Sequence, residues 1–166
     1  MKWAKQTGFT IVELLIVIVV IGILAGITIV AYSGIQNNAK DKQVVSIIEA
    51  YAKGLQLYAP ENGGVYASTN TLCLDGSSTC WSGTSQADST ATANTLRPIM
   101  GSLPTISPYS IAFAYNPSLL SDPNFSGWYF AAVFNGSVCP QILNLIYINK
   151  SGSGPYTCRL GMPVSA

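Results

Sequence analysis

The chain has 166 residues, which is enough for one ordinary domain and one long additional element. Only 9% of the residues are charged and the formal net charge is +1, so the composition does not support a nucleic-acid partner. There is no histidine and the seven acidic residues are scattered, so the sequence predicts no enzyme active site, metal site or cofactor.

The N-terminus is short and basic, with Lys2 and Lys5, and it leads into a long apolar segment. Seventeen residues from Leu14 to Val30 carry no charge. As a helix from Phe9 to Ala31, the segment could span about 30 Å of hydrocarbon. A secretory signal peptide matches the basic start and a plain membrane anchor matches the length, but neither explains an acidic residue at position 13.

The residues around this acid form a more specific pattern. The run from Lys5 to Val17 resembles the leader and the mature N-terminus of type IV prepilins and pseudopilins. The resemblance implies that a prepilin peptidase cuts between Gly8 and Phe9, and that the new N-terminal amine of Phe9 is then methylated. It also implies that Glu13 is the glutamate through which subunits of this family assemble.

Glu13 needs a partner, because a carboxylate in an apolar helix costs a few kcal/mol to insert into a membrane. The resemblance implies that this partner is the amine of Phe9 in a neighbouring subunit, and such a pair at about 4 Å is attractive by roughly 4 kcal/mol before desolvation. The local alternative is that Glu13 only complements the helix dipole, a matter of about 0.3–1 kcal/mol. Many family members have a proline where this chain has Val30, so any loosening of the helix is expected at Gly22 and Gly26.

A second, amphipathic half of the helix follows the apolar half. Its apolar stripe recurs at steps of four and three residues, and its members are Val44, Ile48, Tyr51, Leu55 and Tyr58. Pro60 and the glycines after it predict the end of the helix at Ala59. The resemblance thus implies a leader (1–8) and a membrane or filament-core half (9–31), and the apolar stripe predicts an amphipathic half (32–59).

The remainder of the chain is predicted to be a loop region and a sheet. Region 60–108 includes a segment, 77–95, in which ten of nineteen residues are serine or threonine, which indicates an exposed loop. Region 109–166 contains four predicted strands, at 109–115, 128–134, 143–148 and 155–160, with Asn135-Gly136 as a hairpin signal. These elements predict an α+β fold in which the long helix covers an antiparallel sheet, and the pilin resemblance implies the same layout.

The four cysteines are predicted to form two disulfides, since the N-terminus indicates export. Four cysteines allow three pairings, and the sequence does not choose among them; we favour the sequence neighbours, Cys73 with Cys80 and Cys139 with Cys158. The second pair would bound a region that looks like the C-terminal disulfide region of pilins.

The resemblance implies a structural subunit, major or minor, of a type IV pilus that serves twitching motility, adhesion or DNA uptake. Such a subunit would be held in the cytoplasmic membrane and then join a helical homo-oligomer at the cell surface, with the prepilin peptidase/methyltransferase and the pilus assembly machinery as its partners. One alternative is a pseudopilin of a type II secretion or competence system. The major secretion pseudopilins bind calcium through acidic residues in a C-terminal loop, whereas residues 123–166 contain no Asp or Glu. A second alternative is a membrane-anchored or secreted binding module.

Overall fold

In the computed structural model the described residues are 8–67, 71–74, 89–105, 111–116, 123–153 and 155–164. The chain divides into two compact units, one up to Asn37 and one from Asn38 onwards. Helix α1, Ile11–Glu61, belongs to the first unit up to Asn37 and to the second unit from Asn38 onwards.

The end of α1 differs from the prediction. The helix ends at Glu61 rather than Ala59, because Pro60 is accommodated within its last turn. The carbonyl of Ala59 accepts hydrogen bonds from the amides of Asn62 (3.0 Å) and Gly64 (2.8 Å). Gly64 has a φ of 81°, a conformation that glycine adopts without steric cost, so the glycines rather than the proline set the boundary.

The amphipathic half of α1 buries one face, as its apolar stripe predicts. The side chains that are at most 1% exposed are Val44, Ile48, Tyr51, Ala52, Leu55 and Ala59. Tyr58, the last predicted member of the stripe, is only half-buried. This face packs on one side of the sheet, so the second unit has its core between helix and sheet.

The sheet has five antiparallel strands in the order β1-β2-β3-β5-β4. The strands are β1 (Thr71–Cys73), β2 (Ile111–Tyr115), β3 (Phe125–Phe134), β4 (Ile146–Ser151) and β5 (Tyr156–Pro163). The predicted α+β class is thus confirmed, whereas β1 was not predicted. β4 begins three residues later than predicted, since Leu143 has a φ of 46° inside a turn closed by the amide of Leu145 on the carbonyl of Ile142 (3.0 Å).

The predicted hairpin at Asn135-Gly136 is wrong. β3 pairs with β5 and not with the next strand along the chain, so the segment after Phe134 crosses to the far side of β5. The amides of Asn135 and Gly136 instead donate to the carboxylate of Asp41 on α1, at 2.9 Å each. The Asn-Gly pair, which is typical of a tight turn, therefore makes a contact with a residue that is distant in sequence.

The prediction of one exposed loop over 77–95 is also wrong for its last part. Helix α2 occupies Ser89–Met100, while residues 77–88 lie outside the described residues. Leu96 of α2 is fully buried in the core. The high content of serine and threonine favours a loop by local preference, and burial of the apolar side chains of the helix overrides that preference.

Aromatic rings fill the core between α1 and the sheet. The ring of Phe113 on β2 stacks on Trp128 at 5.1 Å and lies 4.7 Å from Phe130, both on β3. The other face of the sheet has a smaller apolar cluster that includes Phe125 and Tyr129. Both faces of β3 are therefore buried, which makes it the central strand in packing as well as in order.

Candidate functional site

The apolar half of α1 is exposed around its whole circumference. The fourteen Ile, Leu and Val side chains between Ile11 and Ile29 are 48–81% exposed. Burying them would be favourable by something on the order of 10–20 kcal/mol, at about 1.5–3 kcal/mol for each complete side chain. By length and composition this helix can cross a membrane. The segment requires an apolar environment, either lipid or protein.

The first turn of this helix is closed by a reciprocal cap between Thr10 and Glu13. The amide of Thr10 donates to Oε2 of Glu13 at 2.8 Å, and the hydroxyl of Thr10 donates to the same oxygen at 2.6 Å. The amide of Glu13 in turn donates to Oγ1 of Thr10 at 3.3 Å. This is a capping box, in which two side chains satisfy backbone amides that have no partner in the helix.

Sequence reasoning missed Thr10, although the spacing Thr-x-x-Glu before an apolar run is a recognised signal of helix initiation. The cap also gives Glu13 a second role besides the predicted one. Both donors reach Oε2, and within the described part of the chain no hydrogen bond reaches Oε1. One carboxylate can therefore close its own helix and still offer an oxygen to another donor.

The predicted cleavage site lies just before the helix. Gly8 and Phe9 are both exposed, and Phe9 is 89% exposed. A side chain built at Gly8 would meet no atom of the described residues within 4 Å beyond its own chain neighbours, so these residues leave the Gly8–Phe9 peptide open to an enzyme. Lys2 and Lys5, the basic residues of the predicted leader, lie outside the described residues.

The two glycines expected to loosen the helix, Gly22 and Gly26, lie within a continuous α1. Among the described residues, no atom outside the neighbouring backbone of the helix comes within 4 Å of a side chain built at either position. Thr28 is the one polar side chain between Leu14 and Val30. Its hydroxyl donates a hydrogen bond to the carbonyl of Ala25 at 3.0 Å. Loosening at the glycines stays a prediction.

A disulfide joins Cys139 to Cys158, which is one of the two favoured pairs. Cys73 is not a free thiol, whereas Cys80 lies outside the described residues. In the part of the chain that the structure describes, no three His, Cys, Asp or Glu side chains lie close enough to hold a metal ion.

Comparison with known proteins supports the importance of this N-terminal region. The family described as the prokaryotic N-terminal methylation motif matches residues 3–29. The chain is 36% identical over 69 residues to the type II secretion system core protein G of Vibrio cholerae, which is 42% of this chain and 47% of that protein. It is 38% identical over 66 residues to the core protein G of Escherichia coli strain K12, which is 40% of this chain and 45% of that protein.

The chain thus matches less than half the length of these relatives. No solved structure gives a significant match. None of the relatives is named as an enzyme, in agreement with the expected structural role. The methylation motif and the exposed apolar helix indicate a membrane-anchored protein. The chain thus has a prepilin-type N-terminal methylation motif over residues 3–29, and it is similar to core protein G over less than half of that protein.

Proposed function

We propose that this chain is a structural subunit that waits in the cytoplasmic membrane and then joins a helical filament through the apolar half of α1. The observation that carries the proposal is that the apolar side chains of this half are exposed on all sides of the helix, in the segment that matches the methylation motif. Lipid would surround the apolar side chains before assembly, and the same side chains of other copies would pack against them afterwards. The subunit would be cut after Gly8 and methylated at Phe9 by a prepilin peptidase.

Within that class, we favour a pseudopilin of a type II secretion system over a surface pilus. The support is the similarity to core protein G in several bacteria, named for that system. On this proposal the filament is short and periplasmic, and the partners of the chain are further copies of itself and the assembly machinery of the secretion system.

A type IV pilus, serving adhesion, twitching motility or DNA uptake, is the second candidate. It is favoured by the absence of Asp and Glu from residues 123–166, since the resemblance implies that major secretion pseudopilins use acids of this region to bind calcium. The similarity covers less than half of core protein G.

Assembly is tested with Glu13→Gln, which keeps an oxygen acceptor for Thr10 but removes the charge. The variant should insert into the membrane and be processed to N-methyl-Phe9, as read by mass spectrometry of the mature N-terminus, yet be absent from sheared or cross-linked filaments. Glu49→Gln, an acid-to-amide change on the same helix within the second unit, is the control and should assemble normally. Normal incorporation of the Glu13 variant, or an unprocessed Met1 terminus in the wild type, would contradict the proposal.

A strain that lacks this chain distinguishes a type II secretion system from a type IV pilus. Loss of protein export with unchanged surface filaments and motility supports the secretion apparatus. Loss of surface filaments with normal export supports the pilus instead. The complemented strain is the control in both measurements.

A further inference from the structure

The segment that follows β3 is held to the rest of the second unit by charged side chains. Asp41 lies on α1, 94 residues away in sequence from Asn135. Its Oδ1 accepts from the backbone amide (2.9 Å) and the side-chain amide (3.0 Å) of Asn135, and its Oδ2 accepts from the amide of Gly136 (2.9 Å). A side chain built at Gly136 would lie 3.3 Å from Oδ2, so glycine allows this close approach.

A cation holds the next residue of the same turn. The ammonium of Lys150 on β4 donates to the carbonyl of Ser137 at 2.6 Å. It also lies 3.7 Å from the centroid of the Tyr156 ring, within the range of a cation–π contact. Lys150 is the register partner of Cys158, whose disulfide to Cys139 fixes the chain two residues further on. We call the contacts of Asp41 and Lys150 with residues 135–137 the turn clamp.

The oxygen atoms of the turn clamp already have hydrogen-bond partners, which disfavours a metal ion at this position. Calcium takes six to eight oxygen ligands and favours carboxylates. Both oxygens of Asp41 already accept from N–H groups, the carbonyl of Ser137 already accepts from an ammonium, and residues 123–166 supply no acid. The described residues of this region therefore do not fit the calcium site that the resemblance to secretion pseudopilins implies.

We propose that Asp41 and Lys150 are positioning residues that hold the start of the C-terminal disulfide region, Asp41 to α1 and Lys150 to β4, in place of a bound calcium ion. The subunit then folds and keeps this region in place without a divalent metal. The comparison with calcium-binding pseudopilins rests on the proposed function, whereas the clamp itself stands on the contacts given above.

The test uses the full chain purified in detergent micelles. Hydrogen exchange is read by mass spectrometry on fragments that span residues 135–138, for Asp41→Asn, Lys150→Gln and Lys150→Arg. The first two variants should speed exchange of these amides about tenfold or more, because hydrogen bonds to charged groups are stronger than neutral ones. Lys150→Arg keeps the charge and should restore slow exchange. Lys42→Gln and Glu61→Gln change exposed charges on α1 and should leave exchange unchanged.

The metal part is tested by thermal unfolding of the wild-type chain with calcium chloride alone and with a chelator. The expected unfolding temperatures are equal, since a ligand stabilises only a protein that binds it. A rise with calcium, or a fall with the chelator, overturns the metal-free assignment. Unchanged exchange at residues 135–138 in both Asp41→Asn and Lys150→Gln overturns the clamp. Neither the exchange nor the unfolding measurement requires a filament. Either measurement can therefore contradict the part of the proposal that it tests while processing and assembly are normal, and the clamp can be supported while assembly fails.

Discussion

Tyr51 provides the sharpest test of how the second unit is held together. Its ring lies in the core and its side chain is 1% exposed. Its hydroxyl donates to the carbonyl of Pro104 at 2.8 Å and lies 3.3 Å from the carbonyl of Leu74. These carbonyls belong to irregular segments that follow α2 and β1, so one phenol ties two connections to the helix.

Tyr51→Phe removes the hydroxyl and keeps the ring, so it opens almost no cavity. The loss of the contacts of the hydroxyl with these two carbonyls should lower the free energy of unfolding by about 1–2 kcal/mol. For a chain of this size that loss corresponds to a fall of about 2–8 °C in the unfolding temperature. The measurement is thermal unfolding of the full chain in micelles, followed by circular dichroism.

The matched control is Tyr58→Phe, the same chemical change two turns further along α1. Tyr58 is half-buried, and in the described part of the chain its hydroxyl makes no hydrogen bond. The control should shift the free energy of unfolding by less than about 0.5 kcal/mol. Equal unfolding temperatures for Tyr51→Phe and the wild type, or an equal loss in both variants, would refute the assigned role of the Tyr51 hydroxyl.

Three further changes have defined outcomes. Thr10→Val removes the hydroxyl of the capping box and should cost about 1 kcal/mol of helix stability, seen as faster hydrogen exchange in the first turn in micelles; unchanged exchange would contradict the cap. Gly54→Ala places a carbon 2.7 Å from Sδ of Met100 and should lower the unfolding temperature, whereas the same change paired with Met100→Ala should recover part of the loss. Replacing Cys139 and Cys158 together by alanine opens a link across 19 residues and should cost about 3 kcal/mol by chemical denaturation; an unchanged midpoint would show that the bridge adds no stability.

Local patterns predicted the parts of the molecule that depend on neighbouring residues. The charge-free run and the Gly-Phe-x-x-x-Glu spacing predicted the N-terminal segment, and the family comparison matches the same residues. The apolar stripe of the amphipathic half predicted five buried or half-buried positions, because its period is that of a helix. The α+β class followed from the order of the elements along the chain.

The features that sequence reasoning missed depend on contacts distant along the chain. β5 lies between β3 and β4 in the sheet. This order depends on pairing between strands that are distant along the chain, and no local sequence signal encodes it. The bonds of Asp41 to Asn135 and Gly136 join residues more than ninety positions apart, so the turn residues could only be read as a hairpin. Thr10 is different, because the capping box that it forms with Glu13 could have been predicted from the spacing of the two residues in the sequence.

The position of the core along α1 has a consequence for how the subunit travels. In the described part of the chain, the apolar core of the second unit begins at Val44 and includes no residue of the first unit. The described core of the second unit is therefore formed by residues of that unit. On the proposed function, moving the apolar half of α1 from lipid into a filament would exchange one apolar environment for another and leave this core unchanged.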